Sequence, residues 1–454
     1  MYSDISDHLP IFVICHTDFT NEDQAKQITF RKETPKNIES FKNDLAGEEW
    51  FDVYSQRNAD NAYQLFNKKL QLCYDKNFPL ITAEKKNKRG KLPWITKAIL
   101  KSIRTRNRLY KSFLTDPTTR NSDRYKKYRN RLTNIIRTSR KMHYSEKLNK
   151  AKSNMKTTWG IINDLIGKKT KQLPKENFTI NHTLINNEDT PNTFNSYFVN
   201  LGPNLANKFG GQGANFTKFL PKPNSSSLFF NPTNPAEIIN ITKNLNSSKS
   251  KGYDRISSFL LKQIIHSIVA PLNYIFNISI ATGVVPRSLK IAKVIPIFKK
   301  EDPNEISNYR PISILPSISK ILEKIIYKRL YNFLNIYDLL NLNQFGFRKH
   351  HSTDLALAQL YDKVLEAMAN KKHVIGIFMD LSKAFDTLNH DILLKKLEVY
   401  GIRGVALSWF SDYLSNRQQY VDLNGNSSNL LSINCGVPQG SILGPLLFLL
   451  YIHQ

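Results

Sequence analysis

A chain of 454 residues is too long for one ordinary hydrophobic core, and an apolar content of 41% is enough to fill two or three. Three cysteines (Cys15, Cys73, Cys435), odd in number and far apart, exclude a disulfide framework and a cysteine-based zinc site, and they fit a reducing compartment. The formal charge of +28 implies a polyanionic partner, and the excess is concentrated between Lys85 and Lys152, where 23 Lys and Arg stand against three acids.

The N-terminal MYSDISDHLP carries acids and no long apolar run, so it does not read as a signal peptide. The longest apolar stretch is taken as Leu446–Ile452, far below the ~20 residues of a transmembrane helix. The expectation is an intracellular protein, of cytoplasm or nucleus, with no membrane association.

In chain order, residues 1–14 end in a short apolar run, IFVI, that reads as a strand with no partner nearby in sequence. Ala62, Leu65, Phe66, Leu70 and Cys73 recur at helical spacing. The basic segment 85–152 also reads as helical, with Tyr110, Phe113, Tyr125, Tyr128 and Tyr144 interleaved among its cations. Rings beside cations suit stacking on unpaired bases, but tyrosines among arginines are as often packed at a helix contact. The bland reading of this segment is a solvated basic helix or an import signal. Trp159, Ile161, Ile162, Leu165 and Ile166 form a small apolar patch closed by Gly167. Residues 203–232, rich in Gly, Pro and Ser, read as a loop and as the main domain boundary. A helix start follows, with Asn234 as N-cap, Pro235 first in the helix and Glu237 at the capping-box position.

From there the pattern alternates. KVIPIF (Lys293–Phe298) reads as a strand, and Ile318, Ile321, Leu322, Ile325, Ile326 and Leu330 as a helix stripe. Leu357, Leu360, Tyr361, Val364 and Met368 make a second stripe, opened by Ser352 or Thr353. VIGIFM (Val374–Met379) reads as a buried strand, and Ile392, Leu393 and Leu397 as a helix closed by Gly401. QQYVDLNGNSSNLLSINCG reads as a hairpin turning at Asn424-Gly425, and GVPQGSILGPLLFLLYI as a tight turn before a buried helix. The fold class is α+β.

Two stretches carry chemistry. In FMDLSKAFD, Asp380 follows the expected strand, where an acid can reach metal ions at a sheet edge. Seen alone, a capping or ion-paired aspartate explains it better. In GVPQGSILGP, the Pro438-Gln439-Gly440 turn would present Gln439 from a stiff support, while the bland reading is a loop-to-helix junction capped by Ser441.

Together, FMDLSKAFDTLNHDILLKKLEVYGI and GVPQGSILGPLLFLLYI strongly resemble motifs A and B of reverse transcriptases from jockey-like non-LTR retrotransposons. SSKSKGYDRIS, AKVIPIFKKEDPNEISNYRPISIL and NQFGFRKHHST resemble that family's fingers motifs, in the same order. The likeness is dense over 233–454 and looser over 91–201. SDHLPI is similar to the closing motif of the apurinic-type endonuclease that precedes such polymerases, with Asp7 and His8 matching its Asp-His pair.

The resemblance implies the fingers and partial palm of a right-hand polymerase, preceded by a mainly helical basic connector. It implies RNA-directed DNA polymerase activity with Mg²⁺ or Mn²⁺, acting on an RNA template, a DNA primer and dNTPs, with the element RNA as a ribonucleoprotein partner. Asp380 would be a catalytic metal ligand, with the Leu381 carbonyl beside it. Lys299 and Arg310 would hold the triphosphate, with the adjacent Lys300 as the alternative to Lys299. Phe385 would be the ring that rejects a ribose 2′-hydroxyl, and Gln439 and Gly440 would line the nucleotide pocket. Phe345, Gly346 and Arg348 would lie near the template, and Asp386 would be a structural acid.

The corresponding domain expectation is an endonuclease remnant (1–14), a basic connector (15–202), a linker (203–232) and the polymerase segment (233–454). The family's Tyr-x-Asp-Asp motif occurs nowhere in the 454 residues. The expectation is therefore a truncated segment, with little polymerisation and no nuclease activity on its own. The alternative is a non-catalytic RNA- or DNA-binding protein acting through 85–152.

Overall fold

The computed structural model describes residues 27–84, 92–152, 154–167, 177–180, 183–185, 189–208, 216–220, 222–381, 383–423 and 425–452. Asp7, His8 and the strand expected within 1–14 lie outside the described residues, as does Asn424 of the expected turn.

The elements run from β1 (Gln27–Arg31) through helices α1 (Pro35–Ala46), α2 (Phe51–Tyr54) and α3 (Ala59–Asn77) to β2 (Leu80–Glu84). Three helices follow, α4 (Lys97–Thr115), α5 (Thr119–Lys150) and α6 (Met155–Leu165). The short strands β3 (Thr179–Ile180) and β4 (Thr183–Leu184) precede α7 (Thr190–Lys208), α8 (Pro235–Lys243) and α9 (Ser258–Thr282). Then come β5 (Ile291–Phe298), β6 (Tyr309–Ile314), α10 (Ser317–Ile336), α11 (Thr353–Ala369), α12 (His390–Val399) and α13 (Val405–Leu414). The described chain closes with β7 (Arg417–Leu423), β8 (Asn426–Ser427), β9 (Leu431–Ile433) and α14 (Gly444–Ile452).

These elements divide into two compact units, Met1–Arg31 with Leu80–Gln172, and Lys32–Pro79 with Leu173–Gln454. In the first, β1 and β2 pair antiparallel, and α4 and α5 form a helical hairpin. Tyr125 meets Tyr110 at 5.0 Å and Phe113 at 6.4 Å between ring centroids, and Trp94 meets Tyr144 at 5.5 Å. These rings therefore serve the seam between helices, which is the packing alternative to base stacking. Over its 32 residues α5 buries only Leu132 and Tyr144, so its many cations face solvent.

The second unit is built on α9 and α10, each with twelve buried residues. Each fully buried Leu or Ile contributes roughly 1.5–3 kcal/mol. Helix α9 is capped by the Ser257 hydroxyl and closed by Gly283 in the left-handed region. It is long and apolar enough to cross a membrane by length and composition, a stretch the sequence reading passed over in favour of 446–452. Its apolar residues are spent on α1, α3, α8, α10 and α13, as in the central helix of a packed core. Asn234 caps α8 as expected, but the Glu237 carboxylate turns to Thr233 and Arg329. The sheet order is β6-β5-β7-β8, with β9 also on β7. Strands β5 and β6 are antiparallel, β5 and β7 parallel.

Several expectations change. Residues 15–202 do not form one connector, because α1–α3 pack against α9 and join the second unit. The 203–232 segment is not a boundary between the units, and α7 runs through Pro203 to Lys208. The α11 stripe is present but buries none of its residues. Val374–Met379 forms no strand: Ile375, Ile377, Phe378 and Met379 are 80–90% exposed. A strand requires a ladder partner, and among the described residues no named strand pairs with this segment.

Candidate active site

The end of the β5–β6 hairpin supplies two cations. Arg310 lies opposite Ile297 in the register, and Lys299 follows β5 directly, its backbone N–H donating to the Asn308 carbonyl at 2.9 Å. Lys300 pairs with Glu301 at 3.0 Å, whereas neither Lys299 nor Arg310 has an ion-pair partner among the described residues. That difference favours Lys299 over Lys300 as the cation free for a ligand.

The second wall comes from FMDLSKAFD. Residues 383–386 form a turn in which the Asp386 N–H donates to the Lys383 carbonyl at 2.9 Å. Phe385 stacks on Phe448 of α14 at 4.8 Å and meets Phe347 edge-on at 5.7 Å.

The third wall is GVPQGS, which is tightly fastened. The N–H groups of Gly436 and Val437 donate to the carbonyls of Leu388 (2.7 Å) and Phe385 (2.8 Å), and His390 Nε2 lies 2.7 Å from the Gly436 carbonyl oxygen. The Gln439 carbonyl accepts from Ser313 of β6 at 2.9 Å. Gly440 has φ +126°, and a Cβ there would sit 2.5 Å from the Ser313 carbonyl oxygen, so only glycine fits this close approach. The Gln439 amide donates to both carboxylate oxygens of Asp386, at 2.9 and 2.8 Å. Burial pushes the Asp386 carboxyl above its ordinary range, and Gln439 and Lys383 partly offset that.

Glu323 was missed by sequence reading. It is 1% exposed on α10, and its carboxylate accepts from the backbone N–H groups of Ile442 (2.6 Å) and Leu443 (3.2 Å). It thus satisfies donors at the start of α14 from outside that helix. Burial raises its pKa, with Arg417 and the two N–H groups acting against the rise. An acid interrupting the apolar stripe of α10 was the available signal.

Lys299, Arg310, Asp380, Leu381, Phe385, Asp386 and Gln439 all line one cavity of about 510 Å³. Gly440, expected in the same pocket, is not in its lining; it packs against Ser313, which lies outside it too. Phe345, Gly346 and Arg348 are not in its lining: Arg348 turns back to the Asn341 carbonyl at 2.5 Å, and Phe345 packs near His351 at 5.6 Å. That loop reaches the site through Phe347 on Phe385. Asp380 is carried by exposed backbone, not by a strand end as expected.

For a divalent ion, the described residues contain no group of three His, Cys, Asp or Glu side chains. The Asp386 carboxylate is engaged by Gln439. What remains in this lining is the Asp380 carboxylate, with Leu381 next to it in the chain; a divalent ion takes several oxygen ligands.

Residues 297–454 match the family model described as reverse transcriptase (RNA-dependent DNA polymerase). Among similar curated proteins is the RNA-directed DNA polymerase from mobile element jockey of Drosophila melanogaster, 33% identical over 232 residues, 51% of this chain and 25% of that protein. The probable RNA-directed DNA polymerase from transposon BS of the same species is 33% identical over 236 residues, 50% of this chain and 25% of that protein. The corresponding protein of its transposon X-element is 31% identical over 224 residues, 49% of this chain and 25% of that protein. The chain spans about a quarter of the length of these relatives. Over residues 297–454 the chain is thus similar to reverse transcriptases, and its relatives include RNA-directed DNA polymerases of the mobile element jockey and of transposons.

Proposed function

We propose that residues 233–454 are the fingers and part of the palm of an RNA-directed DNA polymerase, which adds deoxynucleotides to a primer 3′-hydroxyl on an RNA template. The observation that carries this reading is the convergence of Lys299, Arg310, Asp380, Phe385 and Gln439 on one cavity. Phosphoryl transfer of this kind depends chiefly on positioning and charge neutralisation. Lys299 and Arg310 neutralise the triphosphate. Phe385, backed by Phe448, resists displacement and so excludes a ribose 2′-hydroxyl. Gln439, tied to Asp386 and Ser313, forms a fixed floor. Asp380 and the Leu381 carbonyl would hold Mg²⁺ or Mn²⁺, which when bound supplies charge neutralisation at phosphate oxygens. Phe345, Gly346 and Arg348 are assigned to the template side. The partners are the RNA template, the DNA primer, dNTPs and the element's own RNA as a ribonucleoprotein.

The test is dNTP binding by residues 1–454 with Mg²⁺, followed by primer extension. The double variant Lys299→Ala/Arg310→Ala should lose binding, and failure of the unaltered protein to bind would overturn the site. Little extension is expected, since these residues contain no Tyr-x-Asp-Asp. Processive extension abolished by Asp380→Ala would show that expectation to be wrong.

A second reading rests on the solvated cations of α4 and α5: nucleic-acid binding without catalysis. Deleting 85–152 should weaken RNA binding and flatten its salt dependence. Unchanged affinity and slope would sink this reading.

A further inference from the structure

Besides Lys299, Arg310 and the ion-paired Lys300, a fourth cation lines the same cavity and has been given no role. Lys383 is half-buried there, between the Asp380 wall and Asp386. Its backbone takes φ +54°, a left-handed conformation that a lysine adopts only at an energetic cost. The turn sustains that conformation, because the Lys383 carbonyl accepts from the Asp386 N–H at 2.9 Å and from the Thr387 hydroxyl at 3.3 Å. Among the described residues Lys383 has no ion-pair partner; the nearby Asp386 carboxylate, hydrogen-bonded by Gln439, acts on it through charge and not through direct contact.

Lys299, Arg310 and Lys383 therefore face one cavity without a carboxylate bound to any of them, although ion pairs satisfy other lysines of this unit, among them Lys251, Lys290 and Lys293. Like charges gathered in one cleft repel each other; Asp380 and Asp386 in the same lining offset part of that repulsion, and an anion carrying several charges relieves the rest. The cavity, at about 510 Å³, is of the size that takes a small-molecule ligand. Three linked phosphates offer each of these three cations a phosphate of its own, which a single phosphate does not.

We propose that the Lys383 ammonium is the third phosphate-binding group of this site, completing with Lys299 and Arg310 a receptor for the triphosphate of a nucleotide. This rests on the polymerase reading above and deepens it. Lys383 reads phosphate number, while Phe385 and Gln439 meet the sugar and base end. The sequence placed Lys383 inside the quoted FMDLSKAFD motif without assigning it, since one lysine among 65 Lys and Arg carries no signal until the fold brings it beside Lys299 and Arg310.

The test uses residues 1–454, with inorganic tripolyphosphate and the series dAMP, dADP and dATP as probes. In the unaltered protein affinity should climb from mono- to triphosphate. Lys383→Met should weaken dATP and tripolyphosphate by about 10- to 100-fold, as loss of a charged hydrogen bond does, and leave dAMP within about twofold. Lys383→Arg should restore most of the loss. Affinity for a primer–template duplex should be unchanged; a loss there equal to the loss for dATP would assign Lys383 to the nucleic-acid backbone and overturn the proposal. A direct measurement needs no variant: tripolyphosphate should protect Lys383 from amine acetylation, read by mass spectrometry. Triphosphate binding that Lys383→Met does not alter, or acetylation of Lys383 that tripolyphosphate does not slow, overturns the Lys383 assignment alone. Absence of any triphosphate binding by the unaltered protein overturns the polymerase reading with it.

Discussion

Two segments border the candidate site and are held in opposite ways. Residues 436–444 are fixed from several sides: by Leu388 and Phe385 carbonyls, by Ser313, by the Asp386–Gln439 pair and by Glu323. Residues 374–381 have none of this, and their apolar side chains stand in solvent. Apolar content does not explain the difference, since both segments are rich in it. Backbone partners do. In 436–444 the donors and acceptors find partners on β6, α10 and the 383–390 turn, while among the described residues 374–381 is offered no ladder.

The largest expected effect comes from removing the buried anchor of the fixed segment. Glu323→Ala leaves the N–H groups of Ile442 and Leu443, just ahead of α14, without their acceptor and removes the charge that Arg417 faces. Loss of one partner from such a buried charged network costs on the order of 3–5 kcal/mol. Denaturant unfolding should show that loss, and hydrogen exchange should show faster exchange at 439–443. If protection there is unchanged while global stability falls, Glu323 holds the core and not the turn.

A smaller effect is expected at the Asp386–Gln439 pair. Gln439→Ala strips the half-buried carboxylate of both hydrogen bonds from the Gln439 amide, a cost of about 1–3 kcal/mol. The pH dependence sharpens the test. The folded Asp386 binds its proton more tightly than the unfolded chain does, so its contribution to stability is greatest at low pH. That contribution falls as pH rises from the ordinary carboxylate value of 3.8 toward the higher folded value. Gln439→Ala raises the folded value further, which deepens the decline, and Asp386→Asn abolishes it. Melting temperatures of the three proteins between pH 3 and 7 would check the sign, and a Gln439→Ala profile parallel to that of the unaltered protein would contradict it.

The comparison also accounts for what the sequence disclosed. Where an element carries its own local code it was legible: Asn234 caps α8, KVIPIF lies in β5, and of the two candidates Ser352 and Thr353 it is Ser352 that caps α11. Asp380, Phe385, Gln439 and the two fingers cations were legible as a set only through family resemblance, and the fold brings them to one cavity. What was not legible depends on contacts between segments remote in sequence. Glu323 acts across more than a hundred residues, and VIGIFM has a strand's composition without a strand's partner. The packing of α1–α3 on α9 is of the same kind, since nothing within 35–77 names its docking surface.

The smallest effect belongs to the unsupported segment. A phenylalanine 88% exposed contributes almost nothing to the folded state beyond what it contributes unfolded. Phe378→Ser should therefore change unfolding stability by no more than about 0.5 kcal/mol, the ordinary range for surface substitutions. Its effect should appear in association instead. Ile375, Ile377, Phe378 and Met379 together form an exposed apolar run, the kind of surface that drives chains together, so light scattering at high protein concentration should fall in the variant. The two readouts separate the cases. A stability loss above about 1 kcal/mol would mean that Phe378 is packed in solution, and 374–381 would then be a supported wall like 436–444. Unchanged stability with reduced scattering would mean that 374–381 is an exposed apolar face that drives association, unlike the internally fastened 436–444.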